Sequence, residues 1–144
     1  GAMLEYSNNF IANDLFLLLG DTADGQPLTA TKAQRAAQRW AETTFGWRDH
    51  RIEDGAGLSP GNRLSARQLL QAVEAFAPYR ELLPSQNERI RAKTGTLTGV
   101  SCYAGFVRRQ GRWQPFSLLI NQPAPYALRF EVAAALADGA TGGR

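Results

Sequence analysis

Beyond Pro84 the chain offers three short runs rich in β-formers, RIRAKTGTL, VSCYAGFVRR and RWQPFSLLIN, separated only by Thr98-Gly99 and Gln110-Gly111. Such short gaps allow antiparallel neighbours only, because a parallel pair needs a crossover of a dozen or more residues. The runs therefore predict a three-stranded antiparallel meander. Three strands on their own leave one face and one edge bare. The chain is accordingly expected to be part of a larger domain, or to pair with another copy.

What precedes and follows the meander has helical spacing. YSNNFIANDLFLLLGD combines polar residues suited to a cap, an apolar series, and Gly20 as a stop. Leu15 to Leu19 is apolar on every side, which suggests burial within a larger body. Thr31 is placed to cap a second helix, with Ala33, Ala36, Ala37, Trp40, Ala41 and Thr44 in register up to Gly46. EDGAGLSPGN reads as a loop. Ser65 opens a third helix, with Leu69, Leu70, Val73 and Phe76 on one face and Pro78 as its end. PAPYALRFEVAAALADGA closes the chain as a helix able to cover a sheet face. Helices, then strands, then a final helix define an α+β fold. Residues 1–3, Gly-Ala-Met, look like the scar of a cleaved tag, and residues 4–144 read as one segment without an internal linker.

Composition closes several routes. The basic residues are 14 arginines and 2 lysines against 13 acidic side chains, and the arginines are scattered except at Arg108, Arg109 and Arg112. No basic stripe with interleaved aromatics is present, so no nucleic-acid partner is expected. One cysteine, Cys102, and one histidine, His50, provide neither a familiar metal-ligand spacing nor an internal disulfide. No apolar run reaches the ~20 residues that span a bilayer.

Two clusters have the residue types of a catalytic cleft. In Lys93-Thr94-Gly95-Thr96, strand alternation sends Lys93 and Gly95 to one face and Thr94 and Thr96 to the other. Gly95 lets another backbone approach, Lys93 supplies a positive charge, and the threonine hydroxyls suit a carboxylate. A turn or strand end with a surface lysine is the plainer alternative. In Ser7-Asn8-Asn9 the plain reading is a helix N-cap; the functional one is a hydroxyl that relays a proton beside an amide that holds a carbonyl. The tripeptide is not a phosphate loop, because Ala92 precedes Lys93 and the upstream glycines are missing.

Taken together, Ser7-x-Asn9 followed by Lys93-Thr94-Gly95 resembles the second and third motifs of penicillin-binding proteins and serine β-lactamases, in the same order. YSNNFIANDLFLLLG, DGAGLSPGNRLSARQLLQAV and AKTGTLTGVSCYAGFV are similar to the D-alanyl-D-alanine carboxypeptidase/endopeptidase group of low-molecular-mass penicillin-binding proteins, over about residues 4 to 135. The resemblance implies a partial β-lactamase/DD-peptidase-like domain. It makes Ser7, Asn9 and Lys93 catalytic: Ser7 in the proton relay to the leaving group, with Lys93 positioning and polarising it. Thr94, with Thr96, would bind the substrate's terminal carboxylate, and the Thr96 N–H would be one of two oxyanion-hole donors. Gly95 would leave room for the substrate. Asp54, with the glycines of its loop, would shape the cleft wall, although a loop carboxylate satisfied by its own neighbours is the stronger alternative.

The implied partners are a peptidoglycan stem peptide and β-lactams, together with the upstream half of the domain or a self-associating copy. No metal or organic cofactor is implied, and the site of action would be periplasmic or otherwise extracytoplasmic. One element of the family pattern is missing. Acylation needs a serine with a lysine one helical turn on, Ser-x-x-Lys. Only Thr29-Ala-Thr-Lys32 comes near, and it follows the second motif instead of preceding it. The connection ELLPSQNERIRAK is also shorter than the family's. The segment is therefore expected to be the C-terminal part of a catalytic domain, inactive alone. The alternative is a non-catalytic relative that binds cell-wall peptide or a partner chain.

Overall fold

The structure, a computed structural model, describes residues 2–24 and 27–139. It divides into an N-terminal unit, Ala2–Ser65, and a second unit from Ala66 onward.

The N-terminal unit is built on three helices: α1 (Ala2–Glu5), α2 (Asn9–Asp24) and α3 (Ala30–Phe45). Gly20, expected as a stop, lies within α2. A Cβ at Gly20 would come within 3.0 Å of the Ala33 nitrogen and the Lys32 Cβ. The glycine therefore lets the start of α3 close on α2, and that packing overrides its local tendency to end a helix. Alanines continue the seam, with Ala33, Ala37 and Ala41 buried and Phe16 packed against the first two. Burying a phenylalanine contributes about 1.5–3 kcal/mol. Leu15, Leu18 and Leu19 stay 50%, 49% and 43% exposed, so within this chain only part of the apolar α2 surface is covered.

The N-cap of α3 is Thr29, whose Oγ1 accepts from the Lys32 N–H at 3.2 Å, and not Thr31 as the spacing suggested. Thr31 lies inside the helix, because the extended residue sits two positions earlier. Gly46, left-handed at φ 66°, ends α3 as expected.

The second unit is a four-stranded antiparallel sheet in the order β1 (Ser85–Asn87), β2 (Ile90–Leu97), β3 (Val100–Arg109), β4 (Arg112–Ile120). The three expected strands are present, and the count is corrected by one. β1 escapes sequence reading because Ser-Gln-Asn has little β preference and spans only three residues. It exists because Asn87 turns the chain through its side chain, accepting from the Arg89 N–H at 2.8 Å, so that Ser85 pairs with Arg91 and Asn87 with Ile90. The β3–β4 turn has φ 50° at Gln110 and 77° at Gly111, the two-residue hairpin geometry that matches strand twist. Pro115, which has no N–H to donate, lies on the edge strand β4.

Helices pack on this sheet. α4 (Ala66–Ala75) lies against β4 and β3, and the Ser117 hydroxyl donates to the Ala66 carbonyl at 2.7 Å. Pro78 sits in a 3-10 helix, Ala77–Leu82, that follows α4. α5 (Leu128–Asp138) covers the opposite face of β2 and β3, with Ala133 and Ala137 buried among Ile90, Ala92, Tyr103, Val107 and Phe116. Tyr103 lies at the centre, its ring 5.3 Å edge-on from both Phe116 and Phe130.

Candidate active site

In the sheet unit, Lys93, Thr94, Gly95 and Thr96 all lie on β2, which pairs with β3 without a bulge from Ile90↔Val107 to Leu97↔Val100. The uninterrupted register keeps Lys93 and Gly95 on one face and Thr94 and Thr96 on the other. The Ala92 N–H donates outward to the Pro84 carbonyl, whereas the Arg89 carbonyl accepts from Arg108 on β3. With a period of two, the N–H groups of Thr94 and Thr96 point away from β3. β1 reaches only the first residues of β2, so in the described sheet no strand pairs with residues 93–97 on that side. The result is a short open edge with two outward N–H donors and two threonine side chains.

Lys93 is half-buried, and its Nζ donates to the Thr94 carbonyl at 2.8 Å. That carbonyl lies on the open edge, so the bond holds the ammonium there. Burial lowers the Lys93 pKa from the ordinary 10.5, because partial desolvation penalises the charged form. Gly95 faces Cys102, and a Cβ added there would stand 3.5 Å from the Cys102 Cβ, an ordinary contact. The sheet itself therefore does not require glycine at this position.

In the N-terminal unit, Ser7 and Asn9 flank the joint between α1 and α2. Asn8 does the capping: its Oδ1 accepts from the Ile11 N–H at 3.1 Å, and its carbonyl accepts from Ala12. Asn9 is the first residue of α2, and both Ser7 and Asn9 are exposed. Ser7 adopts φ 52°, a left-handed conformation uncommon for a residue with a side chain. Such strain costs about 1–3 kcal/mol and persists where the surroundings impose it.

Asp54 is committed to its own loop. Its carboxylate accepts from the N–H groups of Gly57 at 2.7 Å, Leu58 at 3.1 Å and Ser59 at 2.8 Å, and from Asn62 Nδ2 at 2.9 Å. The sequence left Asn13 unremarked, yet its Oδ1 accepts from both Gly55 and Ala56 and so ties the loop to α2. Gly55 is glycine because a Cβ there would overlap the Ala12 carbonyl and the Phe16 Cβ. Asp54 thus fixes the shape of the DGAGLS loop, and its oxygens are occupied in doing so.

Arg129 is a second residue whose place the sequence does not announce. An arginine in an amphipathic helix reads as solvent-facing, but this one is 2% exposed. Its NH1 donates to Thr96 Oγ1 at 3.0 Å and to the carbonyls of Gly95 at 3.2 Å and Cys102 at 3.4 Å. The adjacent YALRF aromatics were the available signal: the guanidinium lies 4.5 Å from the Tyr126 ring centre.

Solved structures of a penicillin-binding protein have this fold. Two structures of penicillin-binding protein 4 (dacB) from Haemophilus influenzae, one complexed with a β-lactam, superpose with TM-score 0.73 at 20% and 23% identity. They cover 95% and 86% of this chain and 39% and 33% of theirs. A predatory endopeptidase from Bdellovibrio bacteriovorus, in complex with an immunity protein, superposes with TM-score 0.61 at 16% identity over 95% of this chain and 40% of its own. Among curated proteins, the carboxypeptidase DacB of Mycolicibacterium smegmatis is 34% identical over 52% of this chain and 22% of its own length. The model of the D-Ala-D-Ala carboxypeptidase 3 (S13) family matches residues 1–86 and 82–138, and the chain belongs to that family. It spans between a fifth and two fifths of the length of these relatives.

Proposed function

We propose that this chain supplies the C-terminal part of the catalytic domain of a serine D-Ala-D-Ala carboxypeptidase, acting outside the cytoplasm on peptidoglycan stem peptides and acylated by β-lactams. The observation that carries the reading is the open edge of β2, with Lys93 held beside it and the Thr94 and Thr96 donors turned outward. An extended peptide laid along that edge adds a strand and places its carbonyl against the Thr96 N–H. The terminal carboxylate then meets the threonine hydroxyls. A serine from the upstream part of the domain attacks the penultimate D-Ala carbonyl, and an acyl-enzyme forms. Ser7 passes a proton to the departing D-Ala amine, the Asn9 amide holds a substrate carbonyl, and Lys93 supplies the positive charge that favours the relay. Water completes the hydrolysis. The chain itself carries no Ser-x-x-Lys, and the proposal is that alone it is not acylated.

The test is release of D-Ala from an acyl-D-Ala-D-Ala peptide by the protein with the upstream part of the domain in place. Release blocked by penicillin is expected; intact peptide after prolonged incubation would defeat the proposal. Gly95 gives a second check. Its added Cβ meets only an ordinary contact at Cys102, so Gly95→Ala should change stability by less than about 1 kcal/mol. Acylation should nevertheless slow by roughly tenfold or more, because the methyl intrudes where the substrate backbone lies. Equal loss of stability and acylation in thermal melts and penicillin labelling would remove that role.

A further inference from the structure

A buried cation needs an explanation. Arg129 is the only polar or charged residue in the buried class among the described residues, and no carboxylate pairs with it there. Its neighbours are backbone carbonyls, the Thr96 hydroxyl and the rings of Tyr126 and Phe130, 4.5 and 5.8 Å away. Removing an unpaired guanidinium from water is unfavourable. Carbonyls and ring faces offset that in part, but they bring no counter-charge.

The location is informative. NH1 has two hydrogens and three acceptors, and the shortest of the three contacts, 3.0 Å, goes to Thr96 Oγ1. Thr96 itself is exposed. A threonine oxygen that accepts from a guanidinium keeps its own hydrogen free, and that hydrogen turns away from the cation. The cation also draws electron density from the oxygen and makes the hydroxyl a stronger donor. Bonds to the Gly95 and Cys102 carbonyls hold the guanidinium across the β2–β3 pair, so its charge stands at a fixed depth behind the open edge.

We infer that Arg129 is a positioning residue that makes the Thr96 hydroxyl a fixed, polarised donor and gives the pocket a preference for substrates ending in a free carboxylate. This rests on the reading of Thr96 as a carboxylate ligand. Arg129 touches no substrate; it acts through Thr96 and through the field of its charge, which a low-dielectric surrounding screens weakly. Two substrates separate this from simple packing: a D-Ala-D-Ala peptide with a free C-terminus and the same peptide as its C-terminal amide.

In the protein with the upstream part of the domain in place, Arg129→Met should lower kcat/KM for the free acid by about tenfold, while the amide changes by less than about twofold. Arg129→Lys, which keeps the charge and loses the fork, should restore the preference in part. Arg129→Gln, which keeps an N–H donor and drops the charge, should behave like methionine, and it serves if the methionine chain fails to fold. Equal losses on both substrates would make Arg129 a packing residue and overturn the inference; so would an unchanged acid-to-amide ratio. Thr96→Val distinguishes the layers. If it collapses the ratio while the Arg129 variants do not, only the inference fails. If it leaves the ratio unchanged, the carboxylate reading of Thr96 fails and the inference with it.

Discussion

Lys93→Ala is expected to slow acylation by a labelled penicillin about 10²–10⁴-fold in the protein with the upstream part of its domain restored. Thermal unfolding should barely move. The side chain is partly desolvated, its Nζ donates to a neighbouring carbonyl, and no carboxylate pairs with it among the described residues. Removing it therefore relieves a desolvation penalty and takes no ion pair from the fold. The same lysine makes a pH prediction. Burial lowers its pKa, so the native chain gives up this proton at a lower pH than a free lysine does. If the charged form is the one that assists acylation, the rate should fall as pH rises through a value below 10.5. Lys93→Arg should move that limb out of range, because arginine stays charged. Acylation unchanged in Lys93→Ala would remove the lysine from the mechanism, and a melt that collapses with it would make its role structural.

Gly105→Ala should cost about 3 kcal/mol or more. Gly105 is paired with Ala92 at the centre of the sheet. A Cβ there would overlap the Arg91 carbonyl and stand 2.5 Å from the Ala92 Cα and 2.6 Å from its Cβ. Backbone cannot swing aside as the end of a flexible side chain does, so β3 must part from β2. Those are the strands that hold Lys93 to Thr96 in register, and acylation should be lost along with stability. The expected readout is a large drop in the denaturant midpoint; an unchanged midpoint would mean that the two strands are not packed as described. The contrast with Gly95 is instructive. Two glycines on adjacent strands differ: Gly105 is needed for the sheet to close, whereas a Cβ at Gly95 meets only an ordinary contact, so its proposed role is to leave room for substrate.

Most of the fold was legible because its signals are local. The turns at Thr98-Gly99 and Gln110-Gly111 specify hairpins whatever surrounds them, and the β2–β3–β4 meander follows. β1 was invisible for the opposite reason: Ser85–Asn87 is a strand because β2 lies beside it, not through its own preference. Gly20 has the local signal of a stop but lies within α2, because the close approach of Lys32 and Ala33 is a tertiary fact. The proposed site residues come from motif spacing and order, and what the register bears out is the face assignment of Lys93 and Thr94, which follows from strand alternation alone. Arg129 was not legible, since helix periodicity cannot announce that a charged position faces the sheet. Asp54 shows how a motif residue divides its role: its loop consumes all four of the bonds described for it, and what it presents outward is a shape.

Intact mass after incubation with a penicillin tests the central claim most directly, using this chain alone and this chain joined to the upstream part of its domain. The account predicts no added mass on the chain alone and one penicilloyl adduct on the joined protein, mapped by digestion to an upstream serine. A stable adduct on the isolated chain, at any residue between Met3 and Gly139, would contradict it: the nucleophile would then lie within this sequence, and the reading of Ser7, Lys93 and the open β2 edge as half of a site would fail.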